Sequence, residues 1–194
     1  MRVLVACEFS GIVRQAFRDK GHDAWSCDLL PAEDNSPYHY QCDVFPIMGS
    51  LWDLMIAHPP CTYLSVSGLH WNKRIPGREQ ETEKALEFVQ KLMDTNIPKI
   101  CIENPISCIS TRIRKPDQIV QPYMFGHPES KKTCLWLKGL PPLEPTNILP
   151  LPESGRWENQ TPSGQNKLGP SPDRWKERSR TYLGLARAMA AQWG

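Results

Sequence analysis

Two short apolar runs, each broken off by polar residues, constrain this chain more than any other feature: DLMIAHPPC over residues 53–61 and KICIENP over residues 99–105. A strand buried on both faces reads as a continuous apolar run, and in a parallel sheet its carboxyl end delivers side chains to a cleft. The first run ends at Cys61, braced by Pro59 and Pro60, and the second ends in Glu103 beside Asn104. A thiolate and a carboxylate at adjacent strand ends can attack one atom of a planar heterocycle and protonate another.

The rest of the chain supplies a setting for such strands. Residues 3–7 (VLVAC) read as a first buried strand, residues 12–20 as a short helix closed by Gly21, and residues 24–28 as a second strand ending in Asp28. A polar loop with Pro31 and Pro37 leads toward Asp43. Beyond Cys61, residues 65–77 (SVSGLHWNKRIPG) show no useful periodicity and suit a mobile active-site loop. Residues 79–95 form an amphipathic helix with Ala85, Phe88, Val89 and Leu92 on one face. A further strand is expected over residues 133–137. Residues 141–172 hold eight prolines and little apolar periodicity, so they should be a long irregular surface segment. Helical character returns over residues 178–194. Strands alternating with helices predict an α/β fold, with a mostly parallel sheet and helices on both faces.

Composition narrows the class of protein. At 194 residues the chain fits one domain, able to bury roughly 70% of its unfolded surface. No apolar run nears the roughly 20 residues that span a bilayer and no leader precedes Val3, so a cytoplasmic protein without a membrane partner is expected. The seven cysteines stand singly, with no CxxC pair, which argues against a disulfide framework and against a metal ribbon. A net charge of +2 does not announce nucleic acid. The basic residues are clustered, though, at Arg112, Arg114 and Lys115, at Lys131 and Lys132, and at Arg174, Lys176, Arg178 and Arg180, as a phosphate-contacting surface requires. Solvated surface charge produces the same pattern. Oligomeric state cannot be read from these features.

The turn Cys7-Glu-Phe-Ser-Gly11 joins the first strand to the first helix, where a glycine lets backbone approach a nucleotide-like ligand. Asp28, at the end of the second strand, is placed to accept hydrogen bonds from ribose hydroxyls. Taken with Pro59-Pro60-Cys61 and Glu103-Asn104-Pro105, this turn makes the chain resemble the DNA cytosine-5 methyltransferases and their PC and ENV motifs, in a short form lacking a separate target-recognition domain. The resemblance implies a Rossmann-like, S-adenosylmethionine-dependent methyltransferase fold over residues 1–194 as a single catalytic domain. It implies that Phe9 packs on the adenine, Gly11 makes the tight turn, Asp28 holds the ribose, Asp43 reads the adenine amino group, and Pro59 borders the cofactor. Ser179 and Thr181, in a degenerate form of the family's last motif, would support the methionine end. Val13 stands where the family has its second glycine.

On the substrate side the resemblance implies that Cys61 adds to carbon 6 of a DNA cytosine while Glu103 serves ring nitrogen 3, turning carbon 5 into a nucleophile for the methyl group. Cys61 then needs a positive environment to lower its pKa, and Glu103 an apolar one to raise its own. Asn104 and Pro105 would orient the carboxyl group. Pro60, Ser65, Lys131 and Lys132 would contact the substrate, with Lys131 and Thr133 standing at positions where the family has arginines. A cytosine in duplex DNA must flip out of the stack, and Trp71 could fill the gap. Residues 141–172 occupy the place of the missing recognition domain, so base-edge readout should be limited. Two other classes fit parts of the pattern. One is an amino methyltransferase acting on N4 of cytosine or N6 of adenine, in which His58 would lead the Pro-Pro motif and Glu103 would have no role. The other is a methyltransferase-like nucleic-acid-binding module without turnover.

Overall fold

The computed structural model describes residues 1–49, 51–163, 166–169 and 171–194. Its centre is a seven-stranded sheet made of β1 (Arg2–Ala6), β2 (Asp23–Asp28), β3 (His39–Gln41), β4 (Leu54–Ala57), β5 (Lys99–Pro105), β6 (Gln118–Val120) and β7 (Thr133–Lys138), in the order β3-β2-β1-β4-β5-β7-β6. The first five strands run parallel, whereas β7 is antiparallel to both β5 and β6. The helices are α1 (Ile12–Arg18), α2 (Val66–Leu69), α3 (Arg78–Met93), α4 (Ile109–Arg112), α5 (Arg174–Ser179) and α6 (Leu183–Trp193).

The continuous apolar runs exist because the sheet is covered on both sides. Val3, Val5, Leu54 and Ile56 pack with Val13 and Phe17 of α1 and with Ala186, Met189 and Trp193 of α6. The alternate residues Leu4, Ala6, Met55 and Ala57 pack with Leu86, Val89 and Leu92 of α3. Each fully buried aliphatic side chain of this kind contributes roughly 1.5–3 kcal/mol. The expected helical face is half right: Val89 and Leu92 are buried, but Ala85 and Phe88 lie at its edge while Leu86 and Thr82 are inside.

Strand order decides where a ligand can sit. After β1 the chain builds outward through β2 and β3, then returns to place β4 on the other side of β1. The carboxyl ends of β1 and β4 therefore flank the point where the order reverses, the customary crevice of such sheets. Turn 7–11 leaves β1 there and the His-Pro-Pro-Cys61 turn leaves β4 there.

Four features depart from the sequence reading. Strands β3 and β6 were not expected, being three-residue edge strands too short to show a period. The expected C-terminal helix is two, because Arg180 and Tyr182 are extended. The N-terminus of α6 docks so closely that a Cβ on Gly184 would overlap the Phe125 carbonyl, and the Gly184 N–H donates to His127 Nε2 at 2.9 Å. Residues 65–77 are not an unstructured loop: they hold α2 and hydrogen-bonded turns, and just before them the Thr62 carbonyl accepts from Arg78 and the Tyr63 carbonyl from Thr82, each at 3.0 Å.

Residues 141–172 contain no helix and no strand beyond isolated bridges among the described residues, in line with their prolines. They are nevertheless anchored. Leu143 and Trp157 are buried, and Trp157 stacks on Tyr123 at 5.3 Å. Among the described residues no helix is long and apolar enough to cross a membrane.

Candidate active site at the strand ends

The register of β4 on β5 pairs Ala57 with Ile102, so the next residues stand side by side, His58 just past the end of β4 and Glu103 still within β5, where it pairs with Leu135 of β7. His58 Nδ1 lies 3.0 Å from Glu103 Oε2, and the two side chains are only 8% and 14% exposed. The His58 N–H donates to the Ala6 carbonyl at 2.9 Å, tying the end of β4 to the end of β1. Two residues beyond Ala6 stands Glu8, buried, its carboxylate accepting the N–H groups of Val13 at 2.7 Å and Arg14 at 3.1 Å. Glu8 thus satisfies two of the unpaired donors at the start of α1. Three adjacent strands deliver Glu8, His58 and Glu103 in one row.

Cys61 follows on a turn held from both sides. Its carbonyl accepts from the N–H of Leu64 and Ser65, at 3.1 and 2.9 Å, while Ser65 pairs with Ser107 beyond β5. Asn104 is buried, and its amide donates to the Pro59 carbonyl at 2.8 Å. Asn104 therefore braces the Pro-Pro-Cys turn and does not orient the Glu103 carboxyl, because alternation along β5 puts the two side chains on opposite faces. Pro59 is buried and Pro60 exposed. The Ser65 hydroxyl lies 3.3 Å from that of Ser67.

Electrostatics correct both pKa expectations. Burial pushes the Glu103 carboxyl up, but the His58 hydrogen bond and charge, aided by Lys131, overcome it and hold the group below its ordinary range. Its partner His58 is raised: burial works against its charge, and Glu103 and Glu8 prevail. Each group thus favours the charged form of the other. For Cys61 the expected cations are present, Arg178 and Lys131, yet partial burial and the negative charge of Glu103 outweigh them and its pKa is raised. The Cys61 side chain is still open to solvent.

Lys131 reaches this region from the segment before β7. Its Nζ donates to the Arg178 carbonyl at 2.8 Å and lies over the Tyr182 ring. Lys132 is exposed, whereas Thr133 is buried in the sheet, so only one of the two arginine-equivalent positions faces the site. Several residues of the basic clusters are neutralised locally: Arg112 by Glu83, Arg114 by Asp117, Lys176 by Asp173 and Arg180 by Glu33. Trp71, 43% exposed, contacts His70 and Arg74.

The other expected residues gather at the ends of β1 and β2. Cys7, half-buried, turns the chain with φ +58, and its thiol is pushed up by desolvation and then by Asp28, Cys27 and Asp43, so both acids are near enough for their charge to act on it. Asp28 accepts the Leu30 N–H and Asp43 the Phe45 N–H, each at 2.9 Å. Burial raises the Asp28 carboxyl. Phe9 is buried, its ring 5.7 Å from that of Trp175 on α5. The Glu33 N–H donates to the Phe9 carbonyl and the Glu33 carboxylate takes Arg180 in a two-pronged ion pair, so the turn between α5 and α6 is fastened beside Phe9. Thr181 is half-buried in that turn, while the Ser179 hydroxyl donates to the Lys176 carbonyl at 2.8 Å. Gly11 has φ +71, and a Cβ there would overlap the Arg14 guanidinium, which is fully buried and bound to Asp34 and Ser26. The room that Gly11 leaves is used by the protein itself. Two carboxylates close to the Cys7 turn at the end of β1 fit a ligand offering hydroxyl and amino donors, as S-adenosylmethionine does. Among the described residues no group of three or more His, Cys, Asp or Glu side chains is arranged to hold a metal ion.

Sequence reasoning passed over His58 and Glu8 as participants. The signal was there: His58 directly follows the apolar run 54–57 as Glu103 directly follows the apolar run 100–102, and the register sets the two side by side.

Neither a protein-family model nor a curated protein matches the sequence. Among solved structures the chain is similar to one described as a DNA modification methyltransferase encoded within an E. coli prophage, with a TM-score of 0.50 and 16% identity over 78% of this chain and 52% of that one. This protein shares the fold of that structure. A looser likeness, to the 16S rRNA methylase RmtB, has a TM-score of 0.34 and 14% identity over 71% of this chain and 55% of that one, and adds no argument. The chain spans about half the length of either structure.

Proposed function

We propose that the protein is an S-adenosylmethionine-dependent DNA methyltransferase that acts on carbon 5 of cytosine, with residues 1–194 forming its catalytic domain. The observation that carries this reading is the approach of β5 to the turn that leaves β4: Asn104 is bonded to the Pro59 carbonyl of the Pro-Pro-Cys61 turn, and Glu103 beside it is close enough for its charge to act on the Cys61 thiol. Cys61 forms a bond to carbon 6, and Glu103 serves ring nitrogen 3. Pro60, Ser65, Asn104 and Lys132 shape the substrate side of the turn, and Lys131 and Arg178 stabilise the thiolate. Phe9, Gly11, Asp28, Asp43, Pro59, Ser179 and Thr181 bind S-adenosylmethionine, which supplies the methyl group. The likeness to a solved DNA modification methyltransferase supports DNA as the substrate class. A flipped cytosine is the form in which duplex DNA would reach a cleft at the strand ends.

The amino-methyltransferase reading requires the residue leading the Pro-Pro motif to bind an exocyclic amino group. Here that residue, His58, is tied to Glu103, which favours carbon-5 chemistry. The test is transfer of labelled methyl from S-adenosylmethionine to unmethylated DNA, followed by nucleoside analysis, for wild type and Cys61→Ser. Label in 5-methylcytosine that falls below detection in the variant is the expected result. Label in an amino-methylated base, or label that survives the substitution, overturns the carbon-5 reading.

A further inference from the structure

We propose that His58 is a positioning and proton-relay residue for Glu103: its Nδ1 gives a proton to the Glu103 carboxylate as that carboxylate passes one to ring nitrogen 3 of the cytosine. The inference rests on the carbon-5 reading and adds a residue to its machinery. It answers a difficulty the geometry creates. A carboxylate held ionised by its neighbour has no proton to donate, yet addition of a thiolate to carbon 6 needs one at nitrogen 3.

The row of strand ends provides that proton. His58 is fixed through its backbone to Ala6, and its ring is nearly enclosed, with Nδ1 on Glu103 and a buried Nε2 that has no hydrogen-bond partner among the described residues. The charges acting on it are Glu103 and Glu8, which favour the imidazolium, and Lys131, which opposes it. Both Glu8 oxygens are occupied by N–H groups of α1, so Glu8 remains a fixed acceptor of charge while the mobile proton belongs to the His58–Glu103 pair.

The step balances. The Cys61 thiolate forms the bond to carbon 6, the carbon 5–carbon 6 π pair moves toward carbon 4, and the carbon 4–nitrogen 3 π pair takes the proton from the carboxyl group. That carboxyl group is itself formed by the transfer from Nδ1, so a single proton passes from His58 through Glu103 to nitrogen 3, leaving a neutral imidazole, a carboxylate and a neutral adduct. After carbon 5 is alkylated, a base such as water removes its proton, the thiolate departs, and nitrogen 3 returns its proton through Glu103 to His58. Protonating Glu103 also removes, for that moment, the anion that most opposes a thiolate at Cys61.

His58→Asn separates the relay from simple bracing, because Asn can keep a hydrogen bond to Glu103 but cannot carry the proton. The expected result is a loss of about 10²–10⁴-fold in methyl transfer, the usual worth of a positioned acid or base. The alkaline limb of the wild-type pH–rate profile, where the imidazolium is lost, should disappear in the variant. A nitrogen-15 histidine NMR titration should place wild-type His58 above the ordinary imidazole range and lower it in Glu103→Gln, whatever the activity of the variants. Wild-type rate and pH profile in His58→Asn, or a His58 resonance that ignores Glu103→Gln, overturns the relay alone. Absence of 5-methylcytosine from wild type while the titration shows the coupled pair overturns the carbon-5 reading, and the relay with it.

Discussion

Cys61 shows how far a residue's chemistry depends on its neighbours. A lone cysteine after two prolines is chemically mute in a sequence. In the fold its thiol feels Lys131 and Arg178, which favour the thiolate, and burial and Glu103, which oppose it, and its raised pKa records that burial and the anion prevail. Gly11 carries the opposite lesson. The expected reason for a glycine there was room for a ligand, and the structure adds a more local one, a φ of +71 above a buried arginine. Gly11→Ala is expected to lower stability by about 2 kcal/mol, from roughly 1–2 kcal/mol of left-handed strain and the displacement of Arg14. For a chain of this size that is a fall of about 4–8 °C in the thermal midpoint. An unchanged midpoint would mean that the guanidinium moves aside freely.

Among elements, the pairing of β4 with β1 and β5 is what turns three separate residues into Glu8, His58 and Glu103 of one row. The row makes stability depend on pH in a defined way. Glu103, held low, contributes stability that is present above its ordinary value of 4.5 and is lost as pH falls through its folded value. His58, held high, contributes stability that is fully present below its ordinary value of 6.5 and is lost as pH rises through its folded value. The stability difference between wild type and His58→Asn should therefore be a plateau between about pH 4.5 and 6.5, declining on either side. The imidazolium also restrains the raised carboxyl of Glu8, an effect of the same sign. Denaturant unfolding at stepped pH measures the difference, and a flat profile across pH 4–9 would show that no ion pair forms.

For the whole molecule, the Pro-rich segment is the unusual part. It lacks regular structure but is fastened: Asn147 and Leu149 donate N–H groups to the carbonyls of Met124 and Tyr123, and Asn159 exchanges hydrogen bonds with Ser130. Ser130 directly precedes Lys131, so the segment braces the stretch that carries this lysine toward Cys61. Trp157→Ala should cost about 3 kcal/mol, the low end for emptying a tryptophan site. Protease cleavage within residues 150–163 should accelerate beyond what the global loss explains. Equal acceleration at sites throughout the sheet would show that the segment does not open by itself.

Much of this protein was legible without a structure. The apolar runs at residues 3–6, 54–57 and 100–102 determined their strands, because only a sheet covered on both faces buries every residue of such a run. The polar residues that end those runs include His58 and Glu103, which the strand pairing brings within 3.0 Å of each other. Other features were decided by contacts between parts of the chain far apart in sequence. The edge strands β3 and β6 exist because longer neighbours offer them hydrogen bonds, and β7 runs antiparallel to β5 and β6, an orientation its own residues do not encode. Whether Glu103 is a donor or an anion depends on a histidine 45 residues away that strand register sets 3.0 Å from its oxygen. A pKa is a property of surroundings, and the surroundings of Cys61, Glu103 and His58 exist only after the strands have paired.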